Sequence, residues 1–160
     1  MSSGVYHKYT GYHNRKSIRL RGYDYSLPGA YFVTLCVKNR ECLFGKIITG
    51  AMQYSQYGLI AREKWEWLGQ QYPYVKLDEY TVMPSHFHGI LWIRDISRTG
   101  GFRRSGSRPA PAESIKIKPI GQIIGAFKTV SAKQINIIRN SRGNSVWQRD
   151  FYACPEQSLS

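Results

Sequence analysis

LDEYTVMPSHFHGILWI, residues 77–93, holds two runs of β-branched, aromatic and aliphatic residues on either side of Pro84-Ser85. Runs of this kind broken by a turn dipeptide predict strands over 77–83 and 87–93 that fold back on each other. His86-Phe87-His88 opens the second run. Strand side chains alternate between faces, so His86 and His88 are expected to project together while Phe87 points the other way, toward the core.

Moving outward, Ala30–Val37 (AYFVTLCV) has no breaker and predicts a central strand, and Leu43–Ile48 with Ala51–Tyr54, parted by Thr49-Gly50, predicts a hairpin. After Ser55 the period changes. Tyr57, Ile60, Ala61, Trp65, Leu68 and Tyr72 recur at spacings of three and four, predicting an amphipathic helix that ends before Pro73. A second helix is predicted from Pro119, with Ile120, Ile123, Ile124, Phe127, Ser131, Ile135 and Ile138 as its apolar stripe and Gly143 beyond its end. Strands, a helix, a strand pair and a helix predict an α+β fold: one mostly antiparallel sheet with helices on one face.

Of the 160 residues, 42% are apolar, enough for a core and too many for wholesale disorder. No apolar run approaches the roughly 20 residues of a membrane span, and MSSGVYHKYTG lacks the apolar block of a secretory signal, so a cytoplasmic protein is expected. Cys36, Cys42 and Cys154 form no C-x-x-C pair and read as reduced thiols.

The net charge of +13 is unevenly placed. Lys8, Arg15, Lys16, Arg19 and Arg21 stand without an acid at the start, residues 23–93 balance six basic side chains with six acidic ones, and residues 94–149 set twelve against Asp95 and Glu113. A neutral middle between basic flanks suits a polyanion partner, because Lys and Arg gain affinity by neutralising phosphates and releasing counterions. The plainer reading is a solvated basic surface. Residues 1–29 read as a basic arm ending in the turn Leu27-Pro28-Gly29, 30–152 as the folded domain, 95–114 as a flexible basic loop within it, and 153–160 as a tail. Arg15, Lys16, Arg19, Arg21, Arg98, Arg103, Arg104 and Arg108 are the expected phosphate contacts, with Lys128 and Lys133 as further candidates or merely a solvated helix face.

An H-x-H pair alone leaves two readings open: hydrogen-bonded edge histidines, or two imidazoles sharing a divalent metal. RLRGYDYSLPGAYFVTLC (19–36), NRECLFG (39–45), YTVMPSHFHGI (80–90), GQIIGAFK (121–128) and VWQRDFY (146–152) together resemble the REP-associated tyrosine transposases, single-tyrosine HUH transposases of bacterial insertion sequences. The resemblance runs from about residue 19 to residue 152. It implies a ferredoxin-like HUH endonuclease fold, usually dimeric, that binds DNA hairpins and cuts single-stranded DNA beside them. A tyrosine hydroxyl attacks the scissile phosphate, leaving a 5′-phosphotyrosine and a free 3′-hydroxyl, while Mg²⁺ or Mn²⁺ polarises the phosphate. His86 and His88 match the family's two metal ligands, and Phe87 the hydrophobic residue between them.

The family pattern departs after the W-Q-R segment. There the family continues into a helix resembling I-R-x…Y-I-x-x-N-P, whose tyrosine is the nucleophile and whose polar residue four positions on completes the metal site. Here residues 153–160 read ACPEQSLS. The expectation is that the family nucleophile is absent and the catalytic residue unknown. Tyr152 is the fallback, its plainer role being to pack the chain end onto the core. The metal site is expected to be weak for want of a third protein ligand, Glu156 and Gln157 being remote candidates. Two outcomes follow from the resemblance: a DNA-cleaving transposase-family protein, or a hairpin-binding remnant without chemistry. A basic RNA-binding protein with structural histidines is the unrelated alternative.

Overall fold

The computed structural model describes residues 22–96 and 115–155. In chain order these form β1 (Gly29–Cys36), β2 (Gly45–Ile48), β3 (Ala51–Tyr54), α1 (Gln56–Gln71), β4 (Val75–Met83), β5 (His86–Ile93), α2 (Ile120–Ile138) and β6 (Tyr152–Pro155). Four strands make one antiparallel sheet in the order β4-β5-β1-β6, and β2 with β3 forms a separate hairpin. Setting the hairpin aside, the order β1-α1-β4-β5-α2-β6 is the split βαββαβ arrangement of ferredoxin-like folds.

Alternation along β1 and β5 separates two sheet faces. Tyr31, Val33, Leu35, Phe87, Leu91 and Ile93 are buried on one, while Phe32, Thr34, Cys36, His86, His88, Ile90 and Trp92 are half-buried on the other. Both helices cover the first face. The ring of Trp65 from α1 lies 4.8 Å from Phe87, that of Phe127 from α2 lies 5.6 Å from it, and the two helix rings meet at 5.6 Å. Gly89 is what lets Trp65 in: a Cβ there would lie 2.4 Å from Trp65 Cζ2. Among the described residues, the Trp65 indole N–H is the buried side-chain donor left without a partner. Such an orphan costs about 1–3 kcal/mol, against which stands the burial of a complete indole.

The helix boundaries follow local chemistry. Ser55 caps α1, its Oγ accepting from Gly58 N–H (3.2 Å) and donating to the Leu43 carbonyl (2.7 Å). Pro119 precedes α2 with extended backbone angles instead of forming its first helical residue. Ile138, expected in the α2 stripe, is 40% exposed, and Asn136 is buried in its place. The reason is the turn after the helix, where Asn136 Nδ2 donates to the Asn144 carbonyl (2.6 Å).

Two expected boundaries move. Residues 22–28 do not stand apart from the domain: Tyr23 and Tyr25 pack against the core, and the Ile120 N–H donates to the Tyr25 carbonyl (3.0 Å). At the other end, Ala153–Pro155, read as tail, belongs to β6, which pairs with β1. A four-residue run ending in proline gives too few alternations to be recognised as a strand. It forms because β1 offers it a free edge.

Candidate functional site

The half-buried face of the sheet carries the histidines. Cross-strand register places Thr81, His88, Thr34 and Tyr152 in one row over β4, β5, β1 and β6, with Met83, His86 and Cys36 in the neighbouring row. The two imidazoles are 4.8 Å apart between ring centroids and nearly perpendicular at 79°. Each has a hydroxyl against Nδ1: Thr34 Oγ1 at 2.9 Å from His88, and Ser85 Oγ at 3.3 Å from His86. Phe32 stacks on His88 at 5.6 Å and 17°. Burial, and secondarily the neighbouring His86, lowers the pKa of His88 and favours its neutral, metal-binding form.

Tyr152 shares this face without adjoining His88. The strand of Thr34 lies between them, so their backbones are about 10 Å apart. It is a half-buried strand residue and does not pack into the core; Ala153 does. Its hydroxyl is held less acidic than usual, chiefly by the Cys154 side chain, which opposes phenolate formation.

The basic candidates divide by position. Arg15, Lys16, Arg19, Arg21, Arg98, Arg103, Arg104 and Arg108 lie outside the described residues, as do Glu156 and Gln157. Lys128 and Lys133 sit on α2, behind the sheet from the histidines. Lys128 does not project as part of a solvated face. Its Nζ donates to the carbonyls of Gln148 (2.9 Å), Arg149 (3.2 Å) and Asp150 (3.2 Å) and lies over the Phe151 ring, so it braces the chain into β6. Lys133 is exposed.

Sequence reading passed over the company of the two histidines. Thr34 and Ser85 become visible only through the β1–β5 register and the β4–β5 turn, and Phe32 only through the alternation that sets it opposite Tyr31 and Val33. Among the described residues, no group of three His, Cys, Asp or Glu side chains could hold a metal, and no helix is long and apolar enough to cross a membrane.

No family model matches the chain. An uncharacterised protein of Haemophilus influenzae (strain ATCC 51907 / DSM 11121 / KW20 / Rd) is 38% identical over 148 residues, covering 89% of this chain and 78% of that protein. The chain belongs to that protein's family. Among solved structures, a REP-associated tyrosine transposase bound to a REP hairpin has a TM-score of 0.49 at 15% identity, covering 86% of this chain. This chain spans 61% of that transposase's length. A Deinococcus radiodurans R1 protein described as a candidate transposase has a TM-score of 0.46 at 17% identity, covering 88% of each chain. At such identities these are likenesses of outline alone.

Proposed function

We propose that this chain binds single-stranded or hairpin DNA across the open face of its sheet, in the manner its transposase-like motifs imply, with His86 and His88 as ligands of a divalent metal. The observation that carries this reading is the pair of adjacent imidazoles, each with a hydroxyl at Nδ1. When Thr34 and Ser85 accept from Nδ1–H, both Nε2 atoms keep their lone pairs for a ligand. Bound Mg²⁺ or Mn²⁺ would supply Lewis-acid polarisation of a phosphate oxygen. Two nitrogen donors that no third His, Cys, Asp or Glu among the described residues joins suit such hard ions poorly by themselves, so DNA phosphate and water must complete the shell.

Cleavage through a 5′-phosphotyrosine is the ancestral chemistry in this reading, and hairpin binding does not require it. Tyr152, about two strand spacings from His88 and held less acidic than usual, is poorly placed as a nucleophile. Fluorescence anisotropy with a DNA hairpin bearing a single-stranded flank tests the binding. We expect affinity that survives EDTA and falls log-linearly with salt; salt-independent binding, or preference for blunt duplex, overturns it. In Mn²⁺ no detergent-stable adduct is expected. An adduct abolished by Tyr152→Phe assigns cleavage to that hydroxyl. The resemblance also implies a homodimer, which sedimentation of the DNA-free chain tests.

A further inference from the structure

The open face carries more than the two histidines. Along β5 the side chains of His86, His88, Ile90 and Trp92 follow one another on that face, with Phe32 brought in from β1 opposite Ile90. Successive same-face positions on a strand are about 6.8 Å apart. That is twice the roughly 3.4 Å rise per nucleotide of a B-form strand. A nucleic-acid strand laid along β5 at this pitch has its bases pulled off one another, with room for a protein ring against each. A duplex resists such unstacking, whereas a single strand permits it.

Two rings on this face, Phe32 and Trp92, are partly exposed. Trp92 is held by its edge, Nε1–H donating to Asp78 Oδ2 at 2.9 Å, and keeps part of its surface in solvent. Its cross-strand neighbours are Ala30 on β1, which is buried, and the exposed Lys76 on β4. Arg94, also exposed, follows directly after β5. Phe32 already makes a near-parallel stack with His88, and both remain half-buried. Buried core aromatics such as Trp65 and Phe87 have no such access.

We infer that Phe32 and Trp92 are base-stacking residues, which make the open face a platform selective for unpaired nucleotides, with Lys76 and Arg94 beside it to take phosphates. The occupant is a single strand of nucleic acid. Lys76 and Arg94 argue for it: both are exposed beside Trp92, and the Asp78 carboxylate that accepts from the indole also has the Lys76 ammonium near it. The inference rests on the DNA-binding reading above and adds which residues touch the bases.

The test uses the full chain and fluorescein-labelled oligo(dT) of twelve nucleotides, with a blunt, fully paired hairpin as the second probe. Stacking on an aromatic side chain is worth enough for Phe32→Ala and Trp92→Ala each to weaken oligo(dT) binding about 5- to 100-fold. The dependence on salt should stay as in the wild type, because phosphate contacts are untouched. Trp92→Phe keeps a ring and should recover most of the affinity, which separates stacking from damage to the fold. In the wild type, oligo(dT) should quench indole fluorescence, and Trp92→Phe should abolish that quenching. If the wild type binds both probes and the alanine variants match it, stacking is overturned while DNA binding stands. If the wild type binds neither probe, both readings fail. If the alanine variants change sedimentation and leave oligo(dT) affinity unaltered, the face is a protein interface and the inference is wrong.

Discussion

Replacing Gly89 with alanine adds one methyl group where the structure has no room for it. The new Cβ would lie 2.4, 2.9 and 3.0 Å from Cζ2, Cη2 and Cε2 of Trp65. That indole is fully buried, with Phe87 at 4.8 Å and Phe127 at 5.6 Å, so it has no open direction in which to retreat. Overpacking of this kind costs about 1–3 kcal/mol. Alanine also restricts the unfolded chain, which offsets about 0.4–1 kcal/mol at a position whose backbone suits it. The net expectation is a loss of up to about 2.6 kcal/mol, or a fall in Tm of up to about 10 °C for a chain of this size. Urea unfolding followed by circular dichroism reads it directly. The cycle with Trp65→Phe is the sharper test, since removing the second indole ring removes the atoms Gly89→Ala strikes. In the Trp65→Phe background the alanine should be neutral or stabilising. An identical effect of Gly89→Ala in both backgrounds would show that contact with Trp65 does not set the penalty.

Other consequences are smaller. Ser55→Ala removes both the α1 cap and the bond to the Leu43 carbonyl and should cost about 1 kcal/mol in urea unfolding. Lys128→Met withdraws the donor shared by three carbonyls, which solvent then partly serves; about 1–2 kcal/mol is expected, with faster amide exchange in β6. The Asp78 carboxyl is held below its usual value of 3.8, first by the Trp92 indole and then by the Glu79 N–H. Its contribution is therefore present above pH 3.8 and lost as pH falls through the lower folded value, so an acid titration of Trp92 fluorescence should have its midpoint below 3.8. His88→Ala should abolish Mn²⁺ uptake measured by paramagnetic resonance with hairpin DNA present, while hairpin affinity in EDTA is retained.

The strands and helices were legible where periodicity ran long enough: α1 recurs over sixteen residues, and β1 and β5 are unbroken apolar runs. β6 was not, because four residues ending in proline acquire strand geometry only from pairing with β1. The shared face of His86 and His88 followed from alternation alone. Their hydroxyl partners did not, since Thr34 lies 54 residues from His88 and only register joins them. Lys128 shows the limit of charge counting. A basic residue off the apolar stripe looks solvated in sequence, yet its ammonium group is spent on carbonyls twenty or more residues away.

Photocrosslinking locates the nucleic acid on the protein. A hairpin with 5-bromodeoxyuridine in its single-stranded flank, irradiated with the full chain and mapped by mass spectrometry, should attach within Gly29–Cys36 and His86–Ile93, at Phe32, His88 or Trp92. Attachment confined to the outer face of α2, around Thr129, Lys133 and Ile137, would place the DNA behind the sheet and exclude the open face as its binding surface.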